Sequence, residues 1–288
     1  YSRMSPFGDG QVSPAGGGHT MHALATTFAD PYLKWYADQL HYTPGGLAAF
    51  VAHGRTPDAK PPGNLRQGRC FHDVGLACMH SDLSDAQRNV HVMLRSSPYG
   101  SVGHGYADQN SFVLHAFGEP LAIASGYYPF YGSPHHRDWT WQTKAANSIG
   151  VGGEGQRVRD WHAVGNIAQF HSDAYCHYAR GEAPRAYRRR LARFDRHILY
   201  IRPLQSEMAP IVVILDDLRT APEVRGKSMP ATFQWYLHAL DRIDVDHQRR
   251  VAHVRHNRAH LDVHFLLPSE LSFHVTDQFS VPPEGDYP

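Results

Sequence analysis

The chain has 288 residues, of which 42% are hydrophobic and 19% are charged, and its formal net charge is +1. This composition is that of a globular protein with ample material for a core, and the small net charge predicts neither a nucleic-acid nor a membrane partner. No apolar run reaches the roughly 18 residues that a membrane-spanning helix needs. Three cysteines without a CxxC pair argue against a disulfide framework and against a cysteine-based zinc site.

The first 63 residues are predicted to be helical and to end in a linker. Apolar residues recur at helical spacing in segments 21–28, 32–40 and 47–51. Asp30-Pro31 and Thr43-Pro44 each place a capping side chain before a proline, which is a helix start signal. The proline- and glycine-rich segment 55–63 is typical of a linker. Three short helices indicate the end of a helical array rather than an independent domain.

After the linker the hydrophobic period changes to two, which predicts strands. Apolar and polar residues alternate in segments 90–95, 111–116, 231–237 and 261–267. Segment 211–217 is a continuous apolar run, which predicts a strand covered on both faces. Several strands separated by turn-rich stretches predict a large antiparallel β-sandwich. The chain starts at Tyr1 and shows no evident closing strand, so we expect a piece of a longer protein.

Segment 96–156 is the densest in residues that carry chemistry. Gly100, Gly103 and Gly105 allow a tight turn around His104 just before a predicted strand, which would present this imidazole to a cleft. Aromatic faces suit pyranose rings, amides suit hydroxyls, and Arg or His suits a carboxylate or sulfate. On this basis the candidate substrate contacts are Tyr106, Gln109, Asn110, Tyr128, His135 and Arg137.

Two runs in that segment, GHGYADQNSFVLHAFGEPLAIASGYY and WTWQTKAANSIGVGGEGQ, resemble the signature of the heparinase II/III-like polysaccharide lyases. SPFGDG near the start and the helix FADPYLKWYADQL are similar to the late part of that family's helical domain. The resemblance extends in order from residue 5 to residue 156. It implies an α+β multidomain fold, with the end of an incomplete (α/α) toroid in residues 1–63 and the antiparallel β-sandwich in residues 64–288.

The resemblance also implies cleavage of an anionic, uronate-containing polysaccharide (a glycosaminoglycan or alginate) by β-elimination, in the periplasm or outside the cell. This reaction needs a base for the C5 proton, an acid for the departing O4 and a group that offsets the carboxylate charge. The family pattern implies His104 as the catalytic residue, either as base or as carboxylate neutraliser. The family's other catalytic residues lie in the toroid before SPFGDG, so we expect the chain to need that toroid to complete its cleft.

The same resemblance bears on metals. Many relatives bind zinc in the sheet domain through two histidines and an aspartate, and the corresponding positions here are Tyr106, Ala124 and Ala146. Neither alanine offers a ligand atom, so we expect no metal at these positions. We expect no organic cofactor either, because β-elimination is redox-neutral and needs only acid–base groups.

Several alternatives stay open on the sequence. The joint loss of three ligand positions also fits a non-catalytic glycan-binding or scaffold relative, and His104 could be a turn histidine bonded to backbone. The basic run 185–196 could steer an anionic polysaccharide, but a solvated strand edge protected by charge is the simpler interpretation. His135 and Arg137 fit a substrate-contacting loop and an ordinary loop equally well.

Overall fold

The computed structural model describes residue 7 and residues 17–126, 130–203, 208–222 and 232–285. Most of SPFGDG, and Tyr128 among the candidate site residues, lie outside these ranges. Three helices precede the strands, as predicted: α1 (Gly17–Phe28), α2 (Pro31–Gln39) and α3 (Gly46–Ala52). None of the helices in the described ranges is long and apolar enough to cross a bilayer.

The start of α2 follows the predicted capping chemistry, and the start of α3 does not. Asp30 Oδ1 accepts hydrogen bonds from the backbone N–H groups of Tyr32 at 2.8 Å and Leu33 at 3.1 Å. Helix α3 instead begins after Gly45 without a side-chain cap. The helix start predicted from Thr43-Pro44 was therefore too early in the chain.

Fourteen strands follow within the described ranges. They are β1 (Gly68–Phe71), β2 (Leu76–His80), β3 (Val90–Arg95), β4 (Ser111–Ala116), β5 (Glu119–Ala122), β6 (Ile149–Val151), β7 (Asn166–Ser172), β8 (Cys176–Glu182), β9 (Leu191–Ile201), β10 (Ile211–Thr220), β11 (Phe233–Trp235), β12 (Ile243–Asp246), β13 (Val251–His256) and β14 (Ala259–His264). A π-helical turn covers His136–Thr140, and 3₁₀ turns cover Pro62–Asn64, Thr143–Ala145 and Pro184–Tyr187.

All strand pairs in the described ranges are antiparallel. A five-stranded sheet has the order β1-β2-β3-β4-β5, and a four-stranded sheet has the order β10-β9-β8-β7. Strands β12-β13-β14 form a third sheet, and β11 pairs with β6. Most connections therefore join neighbours in sequence, which is the topology of antiparallel meanders.

The main core lies between the five-stranded and the four-stranded sheets. On β3, Val90, Val92 and Leu94 are buried while the alternate residues are partly exposed, as expected for a strand with one core-facing side. Ile198 and Tyr200 of β9 belong to the same apolar cluster. The Tyr200 hydroxyl also donates to the Val90 carbonyl at 2.8 Å, which ties the two layers together. These packed layers confirm the predicted β-sandwich.

Strand β10 departs from its predicted environment. Its apolar run was expected to be covered on both faces, but Ile211, Val213 and Leu215 are 60%, 43% and 53% exposed. Among the described residues β10 pairs with β9 alone, so it is an edge strand with one open face. The strand itself was predicted correctly, but the prediction that both of its faces are covered was wrong.

Arg196 in β9 changes the interpretation of the basic run 185–196. Its side chain is fully buried, and its Nε and Nη2 donate to the two carboxylate oxygens of Asp216 at 2.7 and 2.8 Å. Its Nη1 donates to the carbonyls of Asn110 and Asn147, at 2.7 Å each. A charge that is paired and saturated with acceptors can be buried. The solvated-edge interpretation is therefore wrong for this residue.

Candidate functional site

His104 is exposed on a turn that precedes β4, which is where the glycine pattern placed it. Gly100 and Gly103 both have left-handed backbone angles, with φ of +70° and +61°. A Cβ on Gly100 would lie 2.4 Å from the Asp160 carbonyl oxygen, so glycine is required there for a close backbone approach. The sequence therefore folds this segment into a tight projection whose tip carries an imidazole.

The base of the projection is fixed by buried polar contacts. Arg95 and Asp108 form a mostly buried ion pair directly beneath it. The Gln109 side chain accepts from the Ser97 backbone N–H at 2.6 Å and donates to the Ala163 carbonyl at 2.9 Å. Because both the oxygen and the nitrogen of the amide are hydrogen-bonded, the side chain holds the turn in one position.

The neighbours of His104 are aromatic and cationic. Its ring meets the Tyr131 ring edge-on, with centroids 6.4 Å apart. Arg159 Nη1 donates to the Tyr131 hydroxyl at 2.8 Å. The Arg159 guanidinium also lies 4.5 Å from the Trp141 ring centroid, in a cation–π contact. A permanent positive charge and an exposed phenol therefore stand beside the imidazole.

Behind this group, Tyr106 and His136 form a buried pair. The Gly132 backbone N–H donates to His136 Nδ1 at 2.9 Å, so in this arrangement the ring is neutral and its proton is on Nε2. His136 Nε2 lies 3.2 Å from the Tyr106 hydroxyl and donates to it. The His136 ring also packs edge-on against Tyr131, with centroids 5.1 Å apart. The pair thus supports Tyr131 from beneath.

A cationic cleft of about 570 Å³ lies at the 3₁₀ turn Pro184–Tyr187. Its lining includes four arginines and one histidine: Arg157, His162, Arg185, Arg188 and Arg189. No acidic side chain in the described ranges forms an ion pair with Arg185, Arg188 or Arg189. These three guanidinium groups are exposed and available to an anion.

Loop 157–162 joins this cleft to the projection that carries His104. Ser101 Oγ donates to the Arg157 carbonyl at 2.7 Å, and the Ser101 N–H donates to the Asp160 carbonyl at 3.1 Å. Two large aromatic side chains near the junction, Tyr99 and Trp161, are 60% and 71% exposed. Exposed aromatic rings of this kind offer flat faces on which a sugar ring can stack.

Comparison with known proteins identifies the family and the fold. The sequence profile described as "Heparinase II/III-like, C-terminal" matches residues 64–283. The chain belongs to the heparinase II/III-like family. A search of curated proteins found no match.

Two solved structures show the same fold. A mutant of heparan sulfate lyase HepC from Pedobacter heparinus aligns with a TM-score of 0.63 and 14% identity over 88% of this chain and 35% of its own. Heparinase III, the BT4657 gene product, aligns with a TM-score of 0.62 and 13% identity over 86% of this chain and 34% of its own. The chain spans about a third of the length of these structures. The likeness confirms the predicted fold class, whose β-sandwich matches that of the heparinases.

The heparinase-type signature contributed two candidate contacts that the structure places in the interior. Gln109 is fully buried by the contacts described above. Asn110 is also fully buried, and its Nδ2 donates to the carbonyls of Gly181 at 3.0 Å and Phe194 at 3.2 Å. Neither amide reaches a surface in this chain. We therefore correct their expected role from substrate contact to positioning of the turn.

The other candidates are dispersed. Tyr106 is buried against His136, close to the His104 group. His135 faces away from it: its Nδ1 donates to the Val281 carbonyl, so it binds the C-terminal segment instead of an open cleft. Arg137 is exposed and paired with Asp138, which raises the pKa of the guanidinium. Among the candidates in the described ranges, His104 and Tyr106 are linked through Tyr131 and His136, and the roles predicted for the exposed candidates stay predictions.

The zinc position of the family does not fit the residues of this chain. The Tyr106 phenol is occupied by the His136 imidazole, and Ala124 and Ala146 end in methyl groups. The backbone bond from Ser125 N–H to the Ala145 carbonyl, at 2.7 Å, holds the two alanine segments side by side. A zinc ion needs three or four ligand atoms, and these three residues do not supply them.

Sequence reasoning missed two contributors, Trp141 and Arg159, whereas the arginines of the cleft had been noted within the basic run 185–196. Trp141 lies within the WTWQTKAANSIG run, which had been used only for the resemblance. Arg159 follows that run in RVRDWH and reaches Tyr131 across 28 positions. Its left-handed backbone, with φ of +53°, is visible only in the structure.

Proposed function

We propose that this chain is the sheet portion of a polysaccharide lyase that cleaves a uronate-containing polysaccharide by β-elimination. The observation that carries the proposal is the exposed His104 imidazole, held on a rigid projection beside Tyr131 and Arg159. Family membership supports a lyase lineage, and the anion-binding arginines support an acidic polymer. As expected from the resemblance, the enzyme would act in the periplasm or outside the cell.

In this mechanism His104 removes the C5 proton or pairs with the uronate carboxylate. Removing that proton builds negative charge on the carboxylate, and the Arg159 guanidinium is the nearest permanent positive charge of this group. The Tyr131 ring offers a face for a sugar, and its hydroxyl is oriented by Arg159. The resemblance supplies the remaining groups from a helical toroid: a tyrosine, and an amide or imidazole, facing His104 across the cleft.

The arginine cleft gives the polymer a second point of attachment. Uronates and sulfated sugars carry oxyanions that guanidinium groups bind with paired hydrogen bonds. Arg185, Arg188 and Arg189 would hold such groups on units remote from the bond that breaks. Glycosaminoglycans and alginate are both substrates of this chemical class.

The test uses the full-length protein with a heparan-type glycosaminoglycan and with alginate. Elimination creates a conjugated unsaturated uronate, which is followed by its ultraviolet absorbance. We expect His104→Ala to lower the rate by about 10²–10⁴-fold, the usual contribution of a general base, with little change in polymer binding. His264→Ala, an exposed histidine on β14, is the matched control and should keep full activity. A His104→Ala enzyme with unaltered turnover would refute the assignment.

A second candidate function is a glycan-binding or scaffold relative without catalysis. The observation that favours it is the joint absence of ligand atoms at Ala124 and Ala146. The same assay separates the two: binding of uronate polymers without any new absorbance supports the binding module, and product formation eliminates it.

A further inference from the structure

The β7–β8 hairpin carries a compact group of three metal-binding side chains. His171 lies near the end of β7, Asp173 opens the turn and Cys176 begins β8. The Asp173 N–H donates to the Cys176 carbonyl at 3.0 Å, which closes the tight turn. One ligand atom from each of the three side chains lies within 4.8 Å of the others. In the described ranges this is the one such group.

The register of the hairpin explains why the three side chains meet. Ser172 pairs with His177, and both point toward the interior, where Ser172 Oγ and His177 Nδ1 are 2.9 Å apart. Side chains alternate between the two faces of a strand, so the flanking His171, Asp173 and Cys176 share the outer face. The register of the hairpin therefore places the three side chains on one side without any ligand.

The Asp173 carboxylate is already oriented. Its Oδ1 accepts from the backbone N–H groups of Tyr175 and Cys176, at 2.8 Å each. Its Oδ2 lies 2.9 Å from His171 Nε2. One carboxylate oxygen is therefore held by the turn, while the other points at the imidazole and is free to exchange that contact for a cation.

Nitrogen, oxygen and sulfur donors of this kind are the ligand set of zinc. Two ligands of a tetrahedral zinc ion lie about 3.5 Å apart, so the widest separation here must shrink by about 1 Å. Rotation of exposed side chains can supply that movement, and His171 and Asp173 are both exposed. Binding would replace the thiol proton of Cys176, which leaves to solvent, by a metal–sulfur bond.

We propose that His171, Asp173 and Cys176 form a zinc site with a fourth position open to solvent. The site lies on the β7–β8 hairpin, whereas Tyr106, Ala124 and Ala146 lie in loops elsewhere in the chain, so it does not restore the family's zinc position. His171 also lines a surface cavity of about 460 Å³ together with His72, Phe170 and Tyr178. The ion would therefore border a recess large enough for a small ligand. The proposal does not depend on the lyase activity.

The experiment titrates metal-free full chain carrying Cys70→Ser and Cys78→Ser with Co²⁺, so that Cys176 is the remaining thiol. We expect a thiolate-to-cobalt charge-transfer band that saturates at one ion per chain and disappears on addition of one equivalent of Zn²⁺. Adding Cys176→Ser should abolish the band. A band that persists in that variant, or that never forms, overturns the proposal.

A second measurement avoids the cysteine background. Zinc affinity of the otherwise native chain is measured by competition with a coloured chelator, for the parent, His171→Ala and the control His260→Ala. We expect His171→Ala to weaken the tightest site at least about tenfold, the usual cost of losing one ligand or its support. His260 is exposed on β14, and its replacement should change nothing. Several weak sites per chain, unaltered by His171→Ala, would show adventitious binding to surface histidines and reject the site.

Discussion

Gly100 shows how a single residue controls the candidate site, because it lets the turn carrying His104 approach loop 157–162. We expect Gly100→Ala to cost about 1–3 kcal/mol of unfolding free energy, since it adds a backbone clash to a left-handed conformation. Gly103→Ala is the matched control: it shares the positive φ, but nothing lies within 4 Å of its added Cβ. Urea unfolding of both variants checks this. Equal losses would mean that the close approach to Asp160 is unimportant.

Arg196 is the second residue with a large predicted effect. Arg196→Gln leaves the Asp216 carboxylate buried without its cation and removes donors from two carbonyl groups. We expect a loss of about 3–5 kcal/mol of unfolding free energy, which is typical when one partner of a buried ion pair is removed. Arg242→Gln, at an exposed arginine paired with Asp244, should change stability by less than about 0.5 kcal/mol. A similar result for both variants would contradict the structural role of Arg196.

At the scale of elements, a row of histidines crosses the five-stranded sheet. His80, His91 and His115 face one another on β2, β3 and β4, with ring centroids 5.1 and 4.8 Å apart along the row. Burial lowers the pKa of His80 to about 4 and that of His91 well below its ordinary value, and each is lowered further by a neighbouring histidine. His80 and His91 are therefore neutral in the folded protein at pH 7.

The row predicts that stability falls in mild acid. Below the ordinary histidine pKa of about 6.5 the unfolded chain takes up protons that folded His80 and His91 do not, so the free energy of unfolding decreases as pH falls from 6.5 toward 4. Thermal melts from pH 7 to pH 4.5 measure this. His91→Gln should flatten the profile, whereas His264→Gln, at an exposed position, should leave it unchanged. A profile of the parent chain that is flat over this range would contradict the prediction.

The same elements show how far the sequence predicts the structure. Strand β3 was located because its one buried face imposes a period of two, and α2 was located because Asp30 and Pro31 act within one turn. The exposure of β10 could not be read from its apolar run, since coverage depends on which strand lies beside it. His104 was found because its turn is built locally from glycines. Gln109 and Asn110 were misplaced because their partners, Ala163, Gly181 and Phe194, are far away in the chain.

At the scale of the whole molecule, the cleft formed by Arg185, Arg188 and Arg189 should dominate attraction to acidic polymers. We expect Arg185→Gln, Arg188→Asn and Arg189→Asn together to weaken binding of a sulfated glycosaminoglycan about tenfold or more at low salt, and less as salt screens the charges. Asparagine is chosen at positions 188 and 189 because both have left-handed backbone angles.

The control for this experiment changes the same net charge elsewhere. Arg242→Gln, Arg249→Gln and Arg255→Gln remove three exposed arginines that do not line the cleft. Binding is measured by titration calorimetry at two salt concentrations. If both triple variants lose the same affinity, attraction is set by overall charge and the cleft has no special part in it.

Ser101 has one further consequence for recognition. By tying loop 157–162 to the glycine turn, it sets the spacing between the backbone that carries the imidazole and the loop beside the arginine cleft. In the proposed function, a fixed spacing favours polymers whose acidic groups recur at the same distance along the chain. Two polysaccharides with equal charge density but different order of monomers would then differ in how well they register along the protein.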